Sequence, residues 1–111
     1  MSRRVRTHSS FLELLQSTTV KQRKALLQTS TDEQLRALNE VIVNFYRGTI
    51  SVSDHYIKKL FPYKTAMRRI VTERMTKKEK RTLLSRKQAM LPWILRPMMP
   101  MMKDDDATED I

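Results

Sequence analysis

The sequence predicts an all-α fold: a small bundle of about five or six short helices, with a flexible basic N-terminal arm and an acidic C-terminal tail. Three observations predict this. The 111 residues include one glycine and four prolines, too few for a turn-rich β-sandwich. Threonine stands three residues before glutamine or glutamate at three places, which is the spacing of a capping box. Apolar residues recur at helical spacing after these boxes.

The chain has the length of one domain with two ends. Residues 1–8 form the basic arm, residues 9–95 the helical domain, and residues 96–111 a Pro/Met-rich and acidic tail. There is no cysteine, which excludes disulfides and thiolate metal sites and fits an intracellular environment. No run of about 18 apolar residues occurs, so we expect no membrane span.

The first predicted helix follows the arm. Ser9 or Ser10 can cap it, and it covers residues 11–17. Its phenylalanine and three leucines carry more apolar surface than so short a helix can hide. We therefore expect this helix to dock on another element.

The second predicted helix begins at a capping box formed by Thr19 and Gln22 and ends near Gln28. Its pattern places Val20, Leu26 and Leu27 inward. Arg23 is expected on the outward face, together with the lysines on either side of it, because charged residues favour water.

The third predicted helix is the centre of the expected core. A capping box at Thr31 starts it, it covers Asp32–Arg47, and Gly48 stands where a left-handed residue ends a helix. Its apolar positions form one wide stripe: Leu35, Leu38, Val41, Ile42 and Phe45.

Three more helices are predicted in the second half. Ser53 can cap a helix over residues 54–61, and a helix over 62–74 can begin at its proline. The third capping box, at Thr76, starts a last long helix that ends near Met90.

Residues 58–87, called the basic block below, carry a net charge of +10, while residues 9–57 are neutral. The block has two glutamates and twelve basic residues: Lys58, Lys59, Lys64, Arg68, Arg69, Arg74, Lys77, Lys78, Lys80, Arg81, Arg86 and Lys87. A solvated helix surface is the simpler interpretation of a charge run. Ordinary surfaces mix both signs, however, and like charges repel, so we favour contact with the phosphates of a nucleic acid.

No motif for reading bases is visible, so the predicted binding is not sequence-specific, with DNA as the expected ligand. Tyr56, Phe61 and Tyr63 could stack on bases, but their helical spacing favours packing in the core.

The sequence contains little that could catalyse a reaction. A single glycine excludes a P-loop and a dinucleotide fingerprint, both of which need several. The two histidines, His8 and His55, lie in the arm and at the start of a short helix, away from any acidic pair. We expect a protein that is not an enzyme and that binds no cofactor or metal.

The C-terminal segment suggests a different function. Residues 91–102 are rich in proline and methionine and include Trp93, so they could bind a groove on a partner protein. The protein would then be an interaction adaptor. Membrane-surface binding by the basic helices and Trp93 is a weaker alternative, because these helices also carry an ordinary core-facing stripe. The last eight residues carry −5, and they could either fold back on the basic block or remain solvated.

The order and spacing of several leucine-rich motifs resemble a pattern in small basic proteins encoded by Maverick/Polinton-type mobile elements and related animal DNA viruses. The resemblance covers residues 11–95, in Phe11-Leu12-x-x-Leu15, Gln22-Arg23-x-x-Leu26-Leu27, Gln34-Leu35-x-Ala37-Leu38-x-Glu40 with Asn44, Leu83-Leu84 and Leu91-Pro92-x-x-Leu95. It implies a helical accessory protein of a DNA element and transfers no catalytic residue. A nuclear or virion location is expected, and Lys77-Lys78-x-Lys80-Arg81 also matches a nuclear localisation patch.

Overall fold

The computed structural model describes the backbone of residues 1–109 and the side chains of residues 1–102. Within this part the chain is all-helical and has no β-strand, which confirms the predicted fold class. The α-helices are α1 (Arg3–Thr7), α2 (Ser9–Ser17), α3 (Val20–Gln28), α4 (Asp32–Tyr46), α5 (Asp54–Leu60), α6 (Lys64–Thr72), α7 (Lys77–Arg86) and α8 (Leu91–Glu109). Seven of these have seven or more residues, slightly more than the sequence predicted. No helix in the described part is long and apolar enough to span a bilayer.

Helix α4 has both of its predicted end signals. The Thr31 hydroxyl accepts from the Gln34 amide at 3.1 Å, and the Gln34 side chain accepts from the Thr31 amide at 2.9 Å. At the other end Gly48 has a φ of +78°. The amides of Gly48 and Thr49 donate to carbonyls of the last helical turn, both at 3.1 Å, which is a Schellman ending.

The apolar stripe of α4 lies at the centre of the core. Leu38, Val41 and Ile42 are completely buried, and Leu35 and Phe45 nearly so. The helix contacts α1, α6, α7 and α8. A helix that contacts four others and buries its whole apolar stripe contributes to most of the core, so the predicted centre is confirmed.

We expect Leu38→Ala to lower the free energy of unfolding by about 2–5 kcal/mol, because it removes a fully buried side chain and leaves a cavity. The matched control is Leu14→Ala on α2, where the leucine is 46% exposed. Chemical denaturation of both variants measures the difference. Equal losses in the two would contradict the assignment of Leu38 to the core.

Helix α2 docks as expected, and its partner is α8. Phe11, Leu12 and Leu15 are buried there. The predicted start of this helix was wrong. Ser9 and Ser10 lie inside α2, and the N-cap position belongs to His8, which makes no side-chain capping bond.

Residues 1–8 were expected to form a flexible basic arm, and they contain the short helix α1. Ser2 caps α1 by accepting from the Val5 amide at 3.3 Å, and Val5 is completely buried. Arg4 lies 3.3 Å from Glu33 and 3.8 Å from Glu40 of α4. The helix docks because one valine side chain reaches the core. Flexibility of these residues in solution stays a prediction.

The second half has different helix ends from those predicted. The helix expected to run to Met90 ends at Arg86, and a 3₁₀ turn over Gln88–Met90 leads into α8. Gln88 and Met90 are both buried in this turn. A 3₁₀ turn over Phe61–Tyr63 joins α5 to α6, with Pro62 in its first positions. Proline suits a first turn because its missing N–H is not needed there.

Helix α8 continues through two prolines, Pro97 and Pro100. Proline lacks an N–H, so Pro97 cannot bond the carbonyl of Trp93 four residues earlier. The hydroxyl of Tyr56 donates to that carbonyl instead. The Tyr56 ring also packs edge-on against Trp93, with centroids 5.3 Å apart. Burial raises the pKa of Tyr56, which keeps the hydroxyl protonated as a donor.

The helical course of α8 differs from the predicted tail that begins at residue 96. Leu91, Ile94, Leu95, Met98 and Met102 are completely buried and belong to the same core as α4. Two of these lie beyond the predicted boundary. The acidic residues of the C-terminal end have side chains outside the described part, so the idea that they fold back on the basic block stays a hypothesis.

Candidate nucleic-acid interface

The basic block occupies α5, α6, α7 and the segments that join them. Ten of its twelve basic side chains are exposed, and Lys80 and Arg81 are partly buried. The exposed positions follow the predicted outward faces. The helices do not bring all twelve side chains together, however. They divide into groups on different sides of the molecule.

The first group lines a groove between α3 and α7 of about 490 Å³. Lys78, Arg81 and Arg86 supply three positive charges there, and Gln28 and Ser85 supply neutral polar groups. No carboxylate lines this groove. A concave surface with three cations and no anion has the charge that a phosphate needs.

A second groove, of about 310 Å³, lies on the other side of a row of α7 side chains that it shares with the first groove. Arg69 of α6 and Glu79 line it together with Lys78 and Arg86. The ridge formed by Lys78, Thr82 and Arg86, one helical turn apart, therefore borders both grooves. We call it the α7 ridge. Within residues 1–102 the structure shows no carboxylate bonded to Lys78 or Arg86.

Arg69 is partly compensated. Its guanidinium lies 3.2 Å from Glu73, one turn along α6, with both side chains about half exposed. A pair this exposed is screened by water and contributes little to stability. The guanidinium can therefore turn toward another anion at low cost.

Two other cations of α7 contact the start of α4. The carboxylate of Asp32 accepts from Lys77 at 2.8 Å and from Arg81 at 2.9 Å. Arg81 also donates to the carbonyl of Ser30 at 3.0 Å. The hydrogen bonds from Lys77 and Arg81 lower the pKa of Asp32. These contacts join α7 to the start of α4. Arg81 is partly buried, so it is not free for a ligand without a structural loss, whereas Lys77 is as exposed in its pair as Arg69 is and its pair contributes little to stability.

Lys80 has a similar structural role. Its ammonium donates to the side-chain oxygen of Asn39 on α4 at 2.9 Å. Burial lowers the pKa of Lys80, because a half-buried ammonium is less well solvated than an exposed one. Lys77 and Lys80 thus face α4.

Sequence reasoning missed three arginines that lie on the same side of the molecule as Lys77 and Lys80. Arg4, Arg36 and Arg47 line a third groove, of about 500 Å³, together with Lys77 and Lys80. The neutral total of residues 9–57 concealed Arg36 and Arg47, because it averages over all faces of the helices, and Arg4 lies in the segment assigned to the arm. A signal was available for Arg36 and Arg47: with Glu40 and Val43 they recur at helical spacing on the face opposite the core stripe.

The remaining basic residues lie elsewhere. Lys58 and Lys59 are on α5, and Lys64 and Arg68 are exposed on α6. None of these four lines a groove along α7. Arg74 precedes α7 and Lys87 caps its end, and both are exposed without lining those grooves.

The aromatic residues do not behave alike. Tyr56 and Tyr63 are partly buried against the core, as their spacing predicted. Phe61 is 70% exposed, so the prediction that it packs in the core was wrong. It lies one helical turn after Ile57, which is also exposed.

Two residues of α3 lie opposite to their predicted sides: Val20 was expected inward and is 52% exposed, and Arg23 was expected in solvent and is buried. Its guanidinium donates three hydrogen bonds, each 2.6 Å long, to the carbonyls of Leu15 and Thr18 and to the side-chain oxygen of Gln88. Burial lowers the pKa of Arg23, although a guanidinium keeps its proton in proteins. The side chain joins α2, α3 and the turn before α8. Its role is structural.

The described residues contain no cluster of three or more histidine, aspartate or glutamate side chains with the spacing of a metal site. His55 is exposed at the start of α5. The surface geometry thus offers cationic grooves along α7.

Comparison with known proteins returned no match: no family model, no curated protein and no solved structure is similar to this chain.

Proposed function

We propose that this chain is a non-catalytic nucleic-acid-binding protein that contacts phosphates through the α7 ridge and the two grooves beside it. The observation that carries the proposal is that, within residues 1–102, the structure shows no carboxylate bonded to Lys78 or Arg86, which border both grooves. Leaving these cations unpaired on a chain of net charge +10 costs self-repulsion, which a polyanion would relieve.

The contacts would be to the backbone of the nucleic acid. Lysine and arginine on a helix surface bind phosphate oxygens, which position a protein on the duplex without reading its sequence. The proposed ligand is therefore DNA of any sequence.

The resemblance to mobile-element and viral proteins extends this proposal to an accessory or packaging role for the genome of such an element. A nuclear or virion location would follow from that role. Both extensions rest on the leucine-rich pattern and the nuclear-localisation-like run of α7.

The adaptor alternative has less support. It required residues 91–102 to be available as a binding peptide, and five apolar side chains of that segment are completely buried in the core. Trp93 is partly exposed but packs against Tyr56.

A titration with duplex DNA at several salt concentrations tests the proposal. Contact with about five phosphates gives a slope of log K against log salt near −4 to −5. Raising the salt from about 50 to 200 mM should then weaken binding by several hundredfold. Absence of binding to duplex and single-stranded nucleic acid at the lower salt would end the proposal.

The double substitution of Lys78 and Arg86 by glutamine should flatten the slope by up to about 2, because each lost phosphate contact releases about one fewer counterion. The matched control replaces Arg3 and Arg96, which are exposed and line none of the grooves along α7. It removes the same charge. Equal effects of the two pairs would show that only net charge matters and that the α7 ridge is not the interface.

A further inference from the structure

A fourth groove, of about 370 Å³, lies between the end of α4, α5 and α6, and its lining is apolar. It is lined by Phe45, Tyr46, Ile57, Leu60, Phe61, Lys64 and Met67. We call it the α5 groove. The described residues include five large apolar side chains that are substantially exposed, and three of them line this groove: Tyr46, Ile57 and Phe61.

This exposure is concentrated on one face. Phe61 is 70% exposed, Ile57 49% and Tyr46 40%. Single exposed apolar residues are common on protein surfaces, but a contiguous set around a concavity marks a binding site. The buried residues Phe45, Leu60 and Met67 form its floor, so the groove is held open by the core.

The border of the α5 groove is cationic. Among the residues whose side chains the structure describes, no carboxylate lines it, and Lys64 places its ammonium 6.0 Å from the centre of the Phe61 ring. Lys58 directly follows Ile57 on α5, and Arg68 directly follows Met67 on α6. Both are exposed, and the structure shows no carboxylate bonded to either within residues 1–102.

We propose that the α5 groove binds an acidic amphipathic helix of a partner protein. An apolar stripe at positions i, i+3 or i+4, and i+7 would fill the groove in the helix-in-groove mode of recognition. Carboxylates beside that stripe would meet Lys58, Lys64 and Arg68. The apolar floor supplies affinity and the cationic border selects acidic partners. This site is separate from the proposed nucleic-acid surface.

Charge argues against the other occupants. A second copy of this chain would bring a like-charged border against the first, on a molecule of net charge +10. A nucleic acid would satisfy Lys64 and stack on Phe61, but it would leave Ile57 and the groove floor without an apolar partner. An acidic amphipathic helix satisfies both the floor and the border.

The test uses the full chain and a synthetic helical peptide of about fifteen residues, with leucines on one stripe and glutamates on the other faces. Fluorescence anisotropy measures its binding to the unmodified chain and to a variant with Ile57→Ser and Phe61→Ser. Both sites are exposed, so the variant is expected to fold. The matched control carries Leu14→Ser and Val20→Ser, which are 46% and 52% exposed on α2 and α3.

We expect the groove variant to bind the acidic peptide at least about tenfold more weakly, since buried apolar anchors dominate such interfaces. The control variant should bind like the unmodified chain. A peptide with lysine in place of each glutamate should also bind at least about tenfold more weakly. The variant at Lys78 and Arg86 should keep full peptide binding, so a failed nucleic-acid proposal and a failed groove proposal give different results.

Five outcomes would overturn the inference. The first two are that the acidic peptide fails to bind and that it binds the groove variant as well as the unmodified chain. The third is that the lysine peptide binds as well as the acidic peptide. The fourth is that sedimentation shows a dimer that the groove variant does not form, which would assign the groove to a second copy of the chain. The fifth is that single-stranded DNA binds the groove variant more weakly than the unmodified chain without competing with the peptide, which would assign Phe61 to base stacking.

Discussion

Truncation of the chain after Arg96 is expected to unfold the domain or to leave it barely stable. The deletion removes Met98 and Met102, both completely buried. Truncating one buried methionine to alanine costs about 2–5 kcal/mol, and here two whole residues leave the core. Total stabilities of such domains are about 5–15 kcal/mol, so the loss is comparable to the whole.

The matched control for this truncation is a chain that ends at Lys103, which keeps both methionines. Circular dichroism during a urea titration compares the two chains. The shorter chain should unfold at a much lower urea concentration, or show no cooperative transition. Coincident transitions would show that α8 contributes nothing beyond Arg96, as the predicted boundary of the helical domain implied.

Replacement of Arg23 by alanine is expected to cost about 3–5 kcal/mol. The substitution leaves three buried acceptors without their donor: the carbonyls of Leu15 and Thr18 and the oxygen of Gln88. An unsatisfied buried polar group costs about 1–3 kcal/mol, and neighbouring losses are not fully additive. Chemical denaturation at neutral pH measures this loss.

Two variants make the Arg23 result specific. Lys24→Ala changes an exposed neighbour on the same helix and should shift stability by no more than about 0.5 kcal/mol. Arg23→Lys keeps the charge but loses the planar fork of donors, so its loss should lie between the other two. If Arg23→Ala were as stable as Lys24→Ala, the three hydrogen bonds would not stabilise the fold.

Local signals determined the starts of α3, α4 and α7. Capping boxes depend on side chains within three residues of each other, so the boxes at Thr19 and Thr31 form as the sequence predicts. Thr76 likewise accepts from the amide three residues later. Gly48 ends α4 because only a residue without a Cβ adopts its φ at no cost.

The identity of the basic block was also visible in the sequence, because net charge is a sum over residues. Its division into groups was not. Lys77 and Arg81 are held by Asp32, more than forty residues earlier in the chain. Lys78 lies beside Lys77 in sequence, yet it faces the grooves along α7. Which cations stay unpaired depends on how the helices pack.

The sequence by itself determined the fold class, the core stripe of α4 and the concentration of positive charge, since periodicity, capping and composition are local properties. Tertiary structure decided the rest. Arg23 is buried because three acceptors from separate segments surround it. Helix α8 passes through Pro97 because the Tyr56 hydroxyl bonds the carbonyl of Trp93 that proline leaves free. Phe61 remains exposed because it lies one helical turn after Ile57, on a face of α5 that the packing of the described segments leaves uncovered. Each of these outcomes depends on groups that meet only when distant segments pack together.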